Sequence, residues 1–502
     1  MRRFTFGLTL GALIALQTSF AMAQEEGVED PDAVDAPAPD DGAVADEGAE
    51  SGDEVAPEGV DDTPPPPPPP VEPVEPVEEV APVEPPVEEV PEAPEAEEEE
   101  DSSWPFNLTA SLGTRYEARE QYDQIGRADS DMVRFRARVG IITDKLDLSD
   151  DIAVLMRFVP QATGAWMLAG LSDPALGLHI GALEIFTGPM RLEVGRFEMS
   201  YGDELLVGTV NWHPVGRSFD GTRLRWSLGE GGAFADAFFT VTQEGSPVTN
   251  FGNGDTYFTG LYAGLGPMLA EGLALDVYSL ALVSMASTDP MAGTPLDPSG
   301  RVTLGARYKQ KFGMIDARAE AGIQVGSQTS NQSIMAYQAD GELGLSLFGG
   351  GFRLSVEGFI ASGNDPDDAG TNGAWNHLFP TAHKWLGFAD VIGFGGGLNG
   401  RGRSNVAGGV LHLTGKLFQG FGLYAHGHIF SRLQDVLITD AMGMTTRTTA
   451  GMAGAELDIG AKWTIAPGLN SRLGYALFMP NENYYGTSTP AHFLEIELHF
   501  TY

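Results

Sequence analysis

The stretch MVRFRARVG, Met132 to Gly140, alternates arginine with apolar residues. Arg134, Arg136 and Arg138 occupy every second position, and valine, phenylalanine or alanine fills the gaps. Because successive side chains of a β-strand point to opposite faces, an extended stretch of this kind has one cationic and one apolar face. A single such strand fits many β proteins, so the fold depends on whether the period recurs.

The period of two recurs from Trp104 to Tyr502, in segments of about ten residues separated by clusters of Gly, Asp, Asn and Pro. Apolar side chains alternate with polar ones, which is typical of strands that face lipid on one side and water on the other. The pattern predicts an all-β fold, a transmembrane antiparallel β-barrel of about 18 strands. Besides the opening stretch, the clearest segments are FNLTASLGTRYEARE (106–120), RVTLGARYKQK (301–311), GMIDARAEAGIQV (313–325) and AELDIGAKW (455–463).

The connections between the predicted strands alternate in length. Outer-membrane barrels have short periplasmic turns and longer extracellular loops. Here the connections after even-numbered strands are short, such as Phe312–Gly313, and those after odd-numbered strands reach the 44 residues of Ser362–Asn405. Longer loops are also predicted at Pro160–Ala175 and Ser327–Ser333, and the fourth strand, near Gly177–Phe186, has a blurred alternation. An even number of strands places both barrel ends in the periplasm.

The residues before the predicted barrel (104–502) differ from it in composition. A basic start, the apolar run Phe6–Leu16 and the small-residue site Ala21-Met22-Ala23 predict a secretory signal peptide over residues 1–23. Residues 24–103 contain 30 Asp and Glu, no Lys or Arg, and 18 of the 33 prolines. This composition predicts a disordered acidic Pro-rich periplasmic tether, and a spacer that binds the cell wall or a periplasmic partner is the alternative.

If the apolar strand faces meet lipid, the alternating cations line a water-filled interior, where rings of basic side chains favour anions. The predicted lining is Arg115, Arg119, Arg134, Arg136, Arg138, Arg157, Arg191, Arg223, Arg225, Arg307 and Lys309, and the same parity adds Arg301, Lys311, Arg318 and Arg353. Inward carboxylates such as Glu117 and Glu193 leave an alternative open. In this alternative the pore is wide and of mixed charge, and the arginines simply pair with neighbouring carboxylates.

Two stretches resemble the alginate export porins, a family of eighteen-stranded outer-membrane barrels. GRFEMSYGDELLVGTVNWHPVGRSFDGTRLRW (195–226) is similar to the family's Gly-Arg-x-x-x-x-x-Gly-Asp segment, followed by Trp and by Arg-x-Phe-Asp-Gly-x-Arg. FPTAHKWLGFADVIG (379–393) is similar to its Pro-Thr-x-His-Lys-x-x-Gly-x-x-Asp stretch. The resemblance extends over the predicted barrel and leaves the acidic tether outside.

The resemblance implies transport of an anionic uronic-acid polymer through a basic channel. The positions shared with the family's motifs are Arg196, Asp203, Arg217, Asp220, Arg223, His383, Lys384 and Asp390. The last three lie in the connection Ser362–Asn405, and connections of this length are usually functional or disordered. We expect this one to fold over or into the pore as a constriction, and a surface cap without a transport role is the alternative.

Three functions are compatible with the sequence. The first is passive export of an alginate-like anionic polysaccharide, and the second is a porin for small anionic solutes. In the third, the barrel anchors the outer membrane to the cell wall through its tether. Each places the protein in the outer membrane of a Gram-negative bacterium, in contact with its lipid, and none involves a nucleic-acid partner.

An enzyme is not expected. The sequence contains no HExxH, G-x-S-x-G or P-loop motif, and Gly395–Gly400 matches G-x-G-x-x-G only formally, because it lies in a glycine-rich loop. We predict no cofactor.

Two groups of residues resemble metal ligands. We interpret His412, His426 and His428 as solvated pore-lining groups, with a metal site as the alternative. A calcium ion at an extracellular loop is the alternative to an ordinary polar turn, because hard oxygen ligands suit Ca²⁺. Its ligands would be Asp365, Asp367 and Asp368.

Overall fold

The structure is a computed structural model that describes residues 105–167, 170–243, 254–288, 295–392, 402–439 and 444–502. The predicted signal peptide, the tether and the glycine-rich match at Gly395–Gly400 lie outside the described residues. Eighteen strands form one sheet: β1 Phe106–Glu120, β2 Ser130–Thr143, β3 Ile152–Met167, β4 Gly170–Thr187, β5 Met190–Phe197, β6 Phe219–Ser227, β7 Phe234–Gln243, β8 Thr256–Gly264, β9 Ala274–Ser284, β10 Ser299–Phe312, β11 Ile315–Thr329, β12 Gln332–Leu347, β13 Phe352–Ala361, β14 Val406–Phe418, β15 Phe421–Arg432, β16 Gly451–Ala466, β17 Leu469–Pro480 and β18 Ala491–Thr501.

The sheet closes on itself. Each strand pairs antiparallel with the next along the chain, and β18 pairs with β1. The closure extends to the last residue, where Ala110 and Tyr502 exchange backbone hydrogen bonds of 3.0 and 2.8 Å. A closed sheet leaves no strand edge unpaired, which is what a lipid environment requires. The prediction of an antiparallel barrel of 18 strands is confirmed.

The connections contain only short elements. The helices α1 (Gly266–Leu269) and α2 (Glu482–Tyr485) have four residues each. Single 3-10 turns lie at Asp123–Ile125, Phe348–Gly350 and Ala382–Lys384, and short strands at Leu146–Ser149, Ser287–Thr288, Pro295–Leu296, Thr371–Asn372, Val436–Thr439 and Thr445–Thr448. None of the helices in the described part of the chain combines the length and the apolar composition needed to cross a membrane.

Two predicted loops are wrong. β3 continues to Met167 and β4 begins at Gly170, so most of the predicted loop Pro160–Ala175 is strand. The ladder shifts register at Pro160, and such an irregularity accommodates a residue that lacks an N–H donor. Likewise β11 and β12 are separated by only two residues, where a loop over Ser327–Ser333 was predicted. The fourth strand also begins earlier than Gly177.

The two faces of the strands differ as the alternation predicts. Leu112 and Val139 are 53% and 55% exposed on the outer face, whereas the side chain of Glu117 is fully buried on the inner face. Outer-face apolar residues meet lipid in a membrane, and inner-face polar residues meet water or each other.

The buried apolar core lies inside the barrel. It is formed by two long connections that fold inward, which we call the first inner loop (Glu198–Ser218) and the second inner loop (Ser362–Ile392). Met199, Leu205 and Leu386 of these loops are fully or almost fully buried, together with the inward ring of Phe258. The alternation of the strands carries no information about these loop residues, so the sequence did not predict this core.

Candidate functional site

The two inner loops pair with each other inside the barrel. Val207 forms a parallel bridge with Phe379, and the N–H of Gly208 donates to the carbonyl of Phe379 at 2.8 Å. Arg217 donates to the carbonyls of Phe379 and Pro380, the latter at 2.9 Å. Burial lowers the pKa of Arg217 to about 10, so the guanidinium is charged at neutral pH and holds three backbone carbonyls, including that of Gly208. The loops therefore form one unit.

Trp212 connects this unit to the barrel wall. Its indole stacks on His383 of the second inner loop with ring centroids 3.8 Å apart, and the Arg115 guanidinium lies 4.1 Å from the indole centroid. The indole N–H donates to Glu495 at 3.1 Å, and Arg115 donates to the carbonyl of Trp212 at 2.6 Å. Three contacts of the indole and one of the backbone carbonyl thus hold Trp212 in the interior.

The tip of the second inner loop is held by contacts on two sides. His383 Nδ1 lies 2.9 Å from the Asp390 carboxylate, and Arg127 donates to the carbonyl of Asp390 at 2.8 Å. On the opposite side of the tip, the N–H of Ala389 donates to Glu456 of β16 at 2.8 Å. This loop therefore lies inside the pore and is not a surface cap.

Gly387 is required at this tip, because its φ is +84° and a Cβ would meet the Glu456 carboxylate. We expect Gly387→Ala to cost about 1–2 kcal/mol for the left-handed backbone alone and to displace the tip from β16. Limited proteolysis of the second inner loop should then become faster. Gly350→Ala is the matched control, since Gly350 has a φ of +87° but open space around it. Equal proteolysis of both variants would contradict the prediction.

Most of the predicted pore-lining cations pair with carboxylates. Glu117 lies 2.6, 2.8 and 3.1 Å from the guanidinium nitrogens of Arg115, Arg119 and Arg134. Further pairs join Arg138 to Glu198, Arg157 and Arg191 to Glu184, Arg157 and Arg223 to Glu193, Arg225 to Asp236, and Arg307 and Lys309 to Asp203. Arg136 instead donates to the carbonyl of Asn211 in the first inner loop at 2.9 Å. This pairing agrees with the alternative of a wide pore of mixed charge, in which the arginines pair with neighbouring carboxylates.

The residues of the two family-like stretches occupy different places. Asp203, Arg217, His383 and Asp390 belong to the paired inner loops, and Arg223 faces inward from β6. Arg196 and Asp220 bind each other at 2.5 Å through exposed side chains, and their parity in β5 and β6 is opposite to that of Arg223. They do not join the inner-loop site.

A cavity of about 890 Å³ lies below the inner loops. It opens toward the rim of short turns, because its lining includes Gly272 of the β8–β9 connection and Lys311 near the end of β10. In outer-membrane barrels this rim faces the periplasm. Seven Lys and Arg side chains, five Asp and Glu side chains and four histidines line it.

The Lys and Arg side chains that line this cavity outnumber the Asp and Glu side chains. Each acidic lining residue binds a basic side chain: Asp203 binds Lys309, Asp316 and Glu342 bind Arg353, Glu357 binds Arg318, and Asp458 binds His428. Lys311, Lys384 and Lys462 form no salt bridge among the residues that the structure describes. Lys384 lies over the ring of Trp385 and Lys462 over that of Tyr424, and burial lowers the pKa of Lys384. Of these three lysines, the family resemblance points only to Lys384. The alternation of β10 and β16 places Lys311 and Lys462 inward.

The three histidines of β14 and β15 lie in the same cavity. Nδ1 of His412 is 3.0 Å from Nδ1 of His426, so one ring donates a hydrogen bond to the other. His412 also lies 3.1 Å from Glu357, and His428 lies 3.0 Å from Asp458, so two of the three rings have a carboxylate beside them. Nevertheless the described residues contain no group of His, Asp and Glu with the arrangement of a metal site.

The carboxylates of the acidic loop Asp365–Asp368 are bound by other groups of the protein. Asp367 pairs with Arg447, with Nη1 and Oδ2 2.9 Å apart, and this contact lowers the pKa of Asp367. Asp368 accepts from the N–H groups of Gly370 and Thr371. A calcium ion would compete with these contacts, and the calcium site stays a prediction.

The family model for alginate export matches residues 174–491. The chain belongs to the alginate export family. No curated protein matches it. Family membership and the barrel make it an outer-membrane channel of Gram-negative bacteria and not an enzyme.

Solved porins have the same fold. OpdK of Pseudomonas aeruginosa, in complex with vanillate, is 11% identical with a TM-score of 0.53, over 79% of this chain and 98% of that chain. OprD of the same organism is 12% identical with a TM-score of 0.51, over 79% and 93%. OccAB4 of Acinetobacter baumannii is 9% identical with a TM-score of 0.52, over 80% and 98%. At these identities, the likeness of this alginate export family member to the porins concerns the fold alone.

Proposed function

We propose that this channel exports an alginate-like anionic polysaccharide passively, with polymer synthesis as the driving force. The observation that carries the proposal is the charge of the periplasmic cavity, where every acidic lining residue contacts a basic side chain, whereas Lys311, Lys384 and Lys462 form no salt bridge with a described residue. Unbalanced positive charge at low effective dielectric attracts the carboxylates of a polyuronate. The predicted lining arginines then continue the path, with their carboxylate partners limiting their net charge.

A porin for small anionic solutes is the second candidate. The paired inner loops fill much of the interior, which favours small cargo unless the polymer passes as a single extended chain. The related fold of OpdK, solved with vanillate, supports the same candidate. The tether-anchor function concerns residues outside the described part. A deletion of residues 30–96 that disturbs envelope integrity and leaves the conductance unchanged would favour it.

Ion selectivity in planar bilayers tests the proposal. We expect the channel to prefer anions, and Lys311→Glu, Lys384→Glu and Lys462→Glu together to lower the anion-to-cation permeability ratio at least tenfold, because a tenfold change needs only about 1.4 kcal/mol in total and three charges near the ion path are reversed. The triple Lys→Arg variant keeps the charge and is the control. Cation selectivity of the unmodified channel would contradict the proposal.

Block of the current separates the two cargoes. Acidic oligosaccharides added on the periplasmic side should block the channel if it exports a polymer. Permeation of small organic acids without oligosaccharide block would favour the small-solute porin.

A further inference from the structure

Glu495 of β18 contacts the first inner loop and an arginine of the neighbouring strand. One of its carboxylate oxygens accepts the hydrogen bond of the Trp212 indole at 3.1 Å, and the other lies 2.5 Å from Nη2 of Arg472 in β17. The side chain of Glu495 is fully buried, and that of Arg472 is 20% exposed. A carboxylate buried to this extent needs a paired charge, so Arg472 holds Glu495 at the place where it can accept from Trp212.

Arg472 in turn contacts the second inner loop. Its Nη2 lies 3.5 Å from Nε2 of His383, and its guanidinium carbon lies 4.8 Å from the centroid of the Phe388 ring. Because His383 also stacks on Trp212, the contacts form a closed circuit of four side chains, two from the barrel wall and one from each inner loop. Displacing either loop at this point therefore changes the contacts of the other.

The wall leaves room for the carboxylate of this circuit. Gly474 of β17 lies opposite Glu495 in the ladder between the two strands. A Cβ at Gly474 would lie 2.7 Å from a carboxylate oxygen of Glu495 and 2.9 Å from its Cγ. Both distances are too short for non-bonded atoms, so the carboxylate occupies space that a glycine leaves free.

We propose that Arg472 and Glu495 are positioning residues that fix the two inner loops to each other and thereby set the size limit of the channel. Trp212, His383 and Arg472 all line the periplasmic cavity, so the circuit lies beside the path of a solute. Passage through a pore depends on its narrowest diameter, and here the loops determine that diameter. The inference goes beyond the proposed function, because it concerns the size of the solute and not its charge.

Entry of neutral sugars of increasing size into lipid vesicles that contain the full chain tests the proposal, because neutral solutes do not respond to the charge of the lumen. Replacing both residues, Arg472→Gln with Glu495→Gln, removes the ion pair without leaving a buried charge unpaired. We expect the largest sugar that the unmodified channel admits to enter several-fold faster. Arg472→Lys keeps a positive charge beside Glu495 and should retain most of the size limit.

Gly474→Ala is the second variant, and it retains both charged residues. Its methyl group displaces the Glu495 carboxylate, so we expect sugar entry to increase here as well. Gly358→Ala is the matched control, since Gly358 also lies within a strand but has open space around it. If neither the double Gln variant nor Gly474→Ala admits sugars faster than the unmodified channel, the proposal is overturned.

A third measurement separates positioning from a general loss of stability. If Arg472 and Glu495 act through Trp212, adding the double Gln replacement to Trp212→Ala should not increase sugar entry further, and an additive increase would overturn the proposal. Ion selectivity of the same channels keeps the two proposals apart. Unchanged sugar entry together with a preference for anions contradicts only the positioning role, and cation selectivity of the unmodified channel contradicts only the proposed function.

Discussion

Trp212→Ala is expected to raise the single-channel conductance roughly twofold, because conduction depends on the narrowest diameter of the pore. Trp212 lines both the periplasmic cavity and a smaller pocket beside Arg134 and Arg136. Its side chain therefore stands where the two spaces adjoin. Removing the ring also removes the stack on His383 and the cation–π contact with Arg115, so the two inner loops lose part of their attachment to the wall.

Two variants control this experiment. Trp212→Phe keeps an aromatic ring but loses the hydrogen bond to Glu495, and we expect an intermediate conductance. Trp463→Ala removes an indole from the outer face, where it is 46% exposed, and should leave conductance unchanged. If Trp212→Ala conducts like the unmodified channel in bilayer recordings, Trp212 is not at the constriction.

Glu117→Gln is expected to lower the free energy of unfolding by about 3–5 kcal/mol, because it leaves buried charges without their counter-ion. The carboxylate is fully buried and binds Arg115, Arg119 and Arg134. Arg115 also contacts Trp212, so the loss extends to the inner-loop site. Urea unfolding in phospholipid vesicles measures the change.

We also expect Glu117→Gln to change the ion selectivity of the channel. Losing one negative charge should increase the preference of the channel for anions in bilayer recordings. Glu120→Gln is the control, since Glu120 lies at the exposed end of the same strand and should shift stability by no more than about 0.5 kcal/mol. A loss of stability similar to that of the control would show that the three arginines find other partners.

Part of the site was predictable from residue parity. The alternation in RVTLGARYKQK and AELDIGAKW places Lys311 and Lys462 inward without any knowledge of their neighbours. It could not show that Arg115 and Arg134 converge on one carboxylate, because that depends on the register between β1 and β2. The position of a residue along its strand determines which face of the sheet its side chain is on. The register between neighbouring strands determines which side chains it meets.

The inner loops were predicted only in outline. The length of Ser362–Asn405 indicated a functional segment, but its pairing with the first inner loop joins residues more than 160 positions apart, such as Arg217 and Phe379. Irregular loops have no period, and neither their direction nor their contacts can be derived from spacing.

The sequence by itself determined the closed antiparallel barrel, its number of strands and the orientation of its two faces. Each of these follows from a local rule, the two-residue alternation of side chains along a strand. Only the tertiary structure decided which charges pair, where the apolar core lies and which residues Trp212 contacts in the interior. These depend on distances across the barrel between residues far apart in the chain, which no local pattern encodes.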